Sequence, residues 1–364
     1  MELTELQYHT RTLVSFVTPY ASRIIELAIF LPSSAVKEFS PLRERMTSLS
    51  SLLLHDTPRA KWNDMHFKMP PFEGCPLKRL VLRDVDFPST YVAGKLSDTW
   101  VNIVHLELLA TPNGIIHPGL SLEQIVEVLG LTRHLRTAVI HLEHAYSMGD
   151  FPEVDITCPQ LVHLTINWHD DQYPLRLATQ LINSLTFPAL EHLIFDNRVS
   201  RPRQSIPSFT SFASVVTAIE RSRAPLKSLQ CSNGSFGYDD ILRLCEVAPH
   251  LESLVIHRLV ERRDGPSWVR ALMPDESHAV LLPRLRVLGL GGDLDEMDTT
   301  LDVPKVALDI IAMAHRRRAL GSFQMLMADW KERSFSKSPE IAMRTLREEF
   351  ANCVGFQFRD NILL

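Results

Sequence analysis

The segment FPALEHLIFD, residues 187–196, decides the fold. Pro188 is followed by Leu190, Leu193 and Phe195, with Glu191 and His192 between the first two. In an extended chain, residues two apart share a face, so Leu193 and Phe195 point one way and His192 and Ile194 the other. The same frame recurs: a proline, a leucine one or two residues later, and a second leucine three further on. It stands at CPLKRLVL (Leu77, Leu80), CPQLVHLTI (Leu161, Leu164), FPALEHLIF (Leu190, Leu193), APLKSLQC (Leu226, Leu229), APHLESLVI (Leu251, Leu254) and LPRLRVLGL (Leu285, Leu288). In all six a third apolar residue follows two later: Leu82, Ile166, Phe195, Cys231, Ile256 and Leu290. Leucine supplies 52 of the 364 residues and proline 23. Independent placement would give on the order of one match.

A looser frame, without proline and with any apolar residue, adds candidates beginning at Ile24, Leu49, Ile103, Leu135 and Leu320. With them the spacings run 25, 28, 26, 32, 26, 29, 36, 25, 34 and 35 residues. Helical patterns fill the intervals. Ser121 with Gln124 three later makes a capping box, ahead of Leu122, Ile125, Val126 and Leu129 on one face. SFASVVTAIERS sets Phe212, Val215, Val216 and Ile219 at helical spacing. YDDILRLCEVAP and LRLATQLINSL read similarly. Ser338-Pro339 would open a helix through IAMRTLREEF.

The unit is thus a short strand of three to five residues, a loop, a helix, and a proline that stops the helix. Such a strand cannot bury its inner face alone, but stacked units bury one continuous core. That is the logic of a leucine-rich-repeat solenoid. The expected fold is α/β, an irregular solenoid of about 11 repeats, with a curved parallel sheet on the concave face and helices on the convex face. Residues 1–20 are expected to form an N-terminal helical cap or remnant. Residues 21–364 are expected to form a single solenoid, with the last repeats and a C-terminal cap at about 301–364.

The concave face is the default binding surface of such a fold. Its expected residues are Glu26, Ser51, Arg79, His105, Glu107, Thr137, His163, Thr165, His192, Ile194, Ser228, Gln230, Ser253 and Val255. They are mixed in character, with neither one charge sign nor one apolar stripe, which favours protein recognition over polyanion binding. His105, His163 and His192 take the same position, and stacking would set the backbones of His163 and His192 about 4.8 Å apart. The pair reads as polar filling of a solvent-facing sheet. A metal or pH-sensitive patch is the alternative, and it lacks a third ligand.

Searches for catalytic chemistry fail one by one, so no enzyme, cofactor or metal site is expected. GLGGD (Gly289 to Asp293) follows a strand but places Leu294 where a dinucleotide fingerprint needs glycine, and reads as a strand-exit turn. GDLDEMD has Asp298 and Pro304 where a calcium loop needs Gly and Glu. NGSFG is no nucleophile elbow. Cys231 and Cys245 read as small core residues. The basic run at His315 to Arg318 reads as a helix end, and no aromatic residues interleave with the Arg258–Arg263 cluster as nucleic-acid binding would need.

Composition agrees with this reading. Hydrophobic residues make up 45% and charged residues 22%, with a net charge of −5, which offers no general attraction to nucleic acid or anionic membrane. No eighteen-residue apolar stretch is present, and the start lacks a signal-peptide pattern. Five scattered cysteines without a CxxC pair fit a reducing compartment, cytoplasmic or nuclear.

The order of motifs resembles the C-terminal leucine-rich-repeat region of fungal F-box proteins. TFPALEHLIF, IERSRAPLKSLQC, YDDILRLCEVAPHLESLVI, VLLPRLRVLGL, MAHRRR with LGSFQMLM, and the early ASRIIELAIFLP carry the likeness across roughly residues 20–360. The resemblance implies the substrate-binding half of a ubiquitin-ligase adaptor, in which an F-box grips a Skp1-like protein and the repeats hold an unidentified target. Leu31-Pro32 follows a strand frame and is not an F-box start, so the F-box itself is expected to be missing. The common leucine-rich repeat carries Asn or Cys eight residues after its first leucine. Here those places hold Val85, His169, Arg198, Gly234, Leu259 and Asp293, so irregular turns are expected.

Overall fold

The computed structural model describes residues 3–56, 72, 74–85, 100–109, 121–142, 155–168, 172–197, 211–236, 238–261, 272–273, 281–292, 312–313, 315–317, 319, 325–330 and 357–358. The chain forms two compact units, Met1–Ala189 and Leu190–Leu364. Both are α/β and built on parallel strands.

The first unit opens with helix α1 (Leu3–Val17), which buries Leu6, Thr10 and Val14 along one side. Its sheet runs β1 (Glu26–Phe30), β2 (Ser51–His55), β3 (Arg79–Arg83), β4 (His105–Leu109), β5 (Thr137–His141) and, beyond the short β6 (Ile156–Thr157), β7 (His163–Trp168). Every adjacent pair in this sheet is parallel. The sequence frame is also the structural register. Leu27, Leu52, Leu80, Leu106, Ala138 and Leu164 lie opposite one another in turn, as do Ile29, Leu54, Leu82, Leu108, Ile140 and Ile166. From Leu52 and Ile29 onward all of these are buried. Each such aliphatic side chain contributes about 1.5–3 kcal/mol of burial. Leu27 is only half-buried, because among the described residues β1 is the edge strand of the sheet.

Two proline spacings in the frame correspond to two turns. Where proline stands two before the anchor leucine, as in Cys158-Pro159-Gln160-Leu161, the Leu161 N–H donates to Cys158 O at 3.3 Å. That is a β-turn with proline at its second position, where a fixed φ suits it. Where proline stands immediately before, as in Cys75-Pro76-Leu77, the Leu77 N–H reaches Cys75 O at 2.8 Å, a three-residue γ-turn. Both turns deliver a buried leucine at the foot of the strand. The strand start is then pinned by two consecutive N–H groups on one carbonyl. Lys78 and Arg79 donate to Ser50 O, Val104 and His105 to Lys78 O, Arg136 and Thr137 to Val104 O, and Val162 and His163 to Arg136 O. A carbonyl has two lone pairs, so the arrangement satisfies both and fixes which residue opens each strand.

Helix α2 (Ser33–Val36) lies between β1 and β2, and α3 (Leu122–Leu131) between β4 and β5. The capping box is formed: the Gln124 N–H donates to Ser121 Oγ at 3.3 Å, and the Ser121 N–H to Gln124 Oε1 at 2.8 Å. The helix α4 (Gln172–Asn183) follows β7 and leads into β8 (Leu185–Thr186), which pairs with β6 in a separate two-stranded parallel sheet.

In the second unit β9 (His192–Asn197), β10 (Ser228–Phe236), β11 (Ser253–Glu261), β12 (Val287–Gly292), β13 (Met325–Trp330) and β14 (Gln357–Phe358) are joined in order, all parallel. Helices α5 (Ser211–Ser222) and α6 (Tyr238–Val247) connect β9 to β10 and β10 to β11. Phe212, Val215, Val216 and Ile219 of α5 are all buried. Leu193, Leu229, Leu254 and Leu288 lie opposite one another, again in the sequence frame.

Four expectations are corrected here. The frame at Leu320 is three residues out: β13 begins at Met325, and Leu326 takes the register place opposite Leu288. Strands β10 and β11 are nine residues long instead of three to five, and Gly234 and Leu259, expected in turns, are paired with each other. Without a turn-capping asparagine, the β-prone run of β11 (Val255, Ile256, Leu259, Val260) carries on past the expected exit. The glycines of GLGGD are not a strand-exit turn, since all three are residues of β12, Gly289 and Gly291 paired on both sides and Gly292 with Trp330 of β13. The Cβ of any larger residue at Gly289 would lie 2.8 Å from Val255 Cγ1, so the glycine makes room for its neighbour. The fourth concerns Arg317: its basic run is helical, as expected, but in place of complementing the helix end its side chain is fully buried and donates to three backbone carbonyls: Leu272 O at 2.8 Å, Leu282 O at 3.0 Å and Leu281 O. Burial lowers its pKa to about 10. The helix expected at Ser338, Asp293 to Pro304 and Cys353 lie outside the described residues.

Candidate functional site

Because frame residues face the core, the residues between them form the open face of each sheet. In the first unit one row across that face is Glu26, Ser51, Arg79, His105, Thr137 and His163. The next row is Ala28, Leu53, Val81, Glu107, Val139 and Thr165. Glu26, Arg79 and His163 are exposed, and Ser51, His105, Glu107, Thr137 and Thr165 are half-buried. In the second unit His192, Ser228 and Ser253 share one row, and Ile194, Gln230 and Val255 the next, all half-buried. His163 therefore opens a strand of the first unit and His192 a strand of the second.

The closest grouping is on β3 and β4. Glu107 Oε1 accepts a hydrogen bond from Arg79 Nη2 at 2.9 Å and lies 2.7 Å from His105 Nε2. Partial burial pushes the Glu107 carboxyl up, but hydrogen bonds and charge from His105 and Arg79 outweigh it and hold the pKa below its ordinary 4.5. Glu107 is thus a paired carboxylate at neutral pH, a fixed acceptor and not a proton donor. In the second unit Glu191 Oε2 takes the Lys227 ammonium at 2.7 Å and lies 4.0 Å from His192 Nε2.

A third row was not anticipated: Phe30, His55, Arg83 and Leu109. The sequence frame stops at its third apolar residue, yet each of these strands runs one residue further, and continued alternation was the signal that could have found them. His55 Nε2 stands 3.3 Å from Asp84 Oδ2, and the Phe30 and His55 rings meet edge-on with centroids 5.6 Å apart. Asp84 takes a left-handed φ of 54°, which aspartate tolerates better than most residues.

Among the described residues, no three His, Cys, Asp or Glu side chains are grouped to hold a metal ion, and no helix is long and apolar enough to cross a membrane. Cys231 and Cys245 sit in β10 and α6, and burial pushes both thiols up to about 12, well away from nucleophilic range. The open face presents charged, polar and apolar side chains for contact. The fold defines an α/β protein of consecutively stacked parallel strands with one open, mixed polar face in each unit. No protein-family model matches the chain, and no curated protein matches it.

Proposed function

We propose that this protein is a non-catalytic recognition module: an irregular leucine-rich-repeat solenoid of about 11 repeats whose open sheet face holds another protein. The observation that carries this reading is the division of labour along each strand. Frame residues such as Leu52, Leu80, Leu106 and Leu164 are buried, while the residues between them present side chains of mixed character. Stacking such strands in parallel builds a broad surface from many short pieces, which suits a macromolecular partner better than a small substrate. Combined with the resemblance to fungal F-box proteins, the reading extends to target binding for ubiquitination. That role needs an F-box joined to the repeats to grip a Skp1-like adaptor.

The alternative is a free-standing scaffold with no ligase role, and affinity purification of the protein from its own cells distinguishes the two. Recovery of a Skp1-like protein and a cullin supports the adaptor reading. Reproducible recovery of a target without either supports the scaffold. If open-face substitutions such as His105→Ala with Thr165→Arg release no partner, the recognition reading falls in both forms.

A further inference from the structure

The open face of the first unit changes character from strand to strand. On β1 and β2 it presents Ala28, Phe30 and Leu53, with Phe30 57% exposed. On β3 it presents two exposed arginines, Arg79 and Arg83, at the two ends of the strand. Leu53 of β2 lies opposite the buried Val81, between Arg79 and Arg83, so apolar surface on β1 and β2 adjoins the strand that carries the two arginines, about 4.8 Å from it. Glu107 is engaged with Arg79 and His105, and Asp84 with His55, while Asp56 stands at the end of β2 with its backbone N–H donating to Arg83 O at 3.0 Å. Arg83 makes no side-chain ion pair or hydrogen bond among the described residues, and exposed Lys78 adds charge beside Arg79. Glu26, the remaining acid in these rows, stands two strands away from Arg79. Arg83 is thus an exposed cation without a side-chain partner among the described residues, close to the apolar surface of β1 and β2.

We propose that this part of the face binds an extended protein segment of the pattern acidic-x-apolar-x-acidic. The proposal rests on the recognition reading above and names the partner's chemistry. Arg79 and Arg83 are four residues apart on one strand, about 13 Å along it. In an extended partner, side chains at i, i+2 and i+4 share a face and span the same length. Acids at i and i+4 meet the two guanidinium groups, and the apolar side chain at i+2 falls at the level of Val81 and meets Leu53 beside it. Arginine suits the role because its planar fork takes a carboxylate through two hydrogen bonds. A nucleic acid would use the cations but gain little from Ala28, Leu53 and Phe30.

The test is a random peptide-display selection against the whole chain, followed by affinity measurements on the enriched peptides. The proposal expects enrichment of acidic-x-apolar-x-acidic peptides. Their binding should fall about tenfold or more in an Arg79→Gln, Arg83→Glu double variant and hold in a Gln230→Ala control. Both arginines are exposed, and a cooperative thermal melt of the double variant verifies folding. Enriched peptides without acidic bias, or with undiminished binding to the double variant, overturn the proposal while leaving the recognition reading in place. Failure to enrich any peptide counts against both. An oligothymidylate strand that binds as tightly as the acidic peptides, and loses binding in the same variant, marks a general polyanion site and overturns the proposal.

Discussion

Arg79 on β3 and Glu107 on β4 are joined by a 2.9 Å hydrogen bond although they are not direct partners in the sheet: Arg79 lies opposite His105, and Glu107 opposite Val81. The diagonal pair lets Glu107 take Arg79 and His105 at once. Its carboxyl is held below its ordinary value of 4.5, so it stabilises the folded state fully above that pH, and the contribution is lost as pH falls through the lowered value. Glu107→Gln should therefore be less stable than the parent at pH 7, with the difference closing below about pH 4. Urea titrations at several pH values would show this. A gap that stays constant, or widens in acid, would mean that the pair contributes nothing through charge.

Leu164 and Thr165 are chain neighbours on opposite faces of β7, one buried against the core and the other half-buried on the open face. Leu164→Ala should cost about 2–5 kcal/mol of stability, and Thr165→Ala within about 0.5 kcal/mol. Chemical denaturation of the two variants checks the assignment of faces. Equal losses would break the alternation on which the fold rests.

Gly289 and Val255 test close packing on the open face of the second unit. A methyl group at Gly289 would meet a stiff β-branched side chain at 2.8 Å. Gly289→Ala should destabilise by about 1–3 kcal/mol, and adding Val255→Ala should recover part of that loss. A double-mutant cycle with no coupling between the two positions would contradict the contact.

Arg317 holds together chain segments far apart in sequence through three charge-assisted hydrogen bonds to carbonyls. Arg317→Ala should cost about 3–5 kcal/mol, because three buried acceptors lose their donor. Arg317→Lys should recover only part, since one ammonium cannot reproduce the planar fork. A lysine variant as stable as the parent would show that charge alone suffices.

How much of this was legible in the sequence depends on how local each signal is. The pairing of Leu52 with Leu80 and of Leu229 with Leu254 could be read because each frame carries its own proline or neighbouring apolar residues. The capping box at Ser121 lies within four residues and was equally plain. At Leu320 three apolar residues at fixed offsets were too weak a pattern, and the true strand begins five residues later at Met325. Glycines in β12 suggest a turn until Val255 is seen against Gly289, a contact 34 positions away in the chain. The acceptors of Arg317 lie 35 to 45 residues before it, so no local pattern announces that it is buried. The face that carries Arg79, His105 and Glu107 was legible as a face. The bonds among these side chains depend on rotamers, which alternation does not determine.

The central claim is that the open face, and not the helix-covered side, meets a protein partner. The most direct measurement places a photo-crosslinking amino acid in turn at Thr137 and Thr165 on the open face and at Glu127 and Arg133 in and just after α3, in the protein's own cells. The account predicts crosslinks to one and the same protein from Thr137 and Thr165, and none to it from Glu127 or Arg133. Crosslinks from the α3 positions alone, with the open face silent, would contradict it.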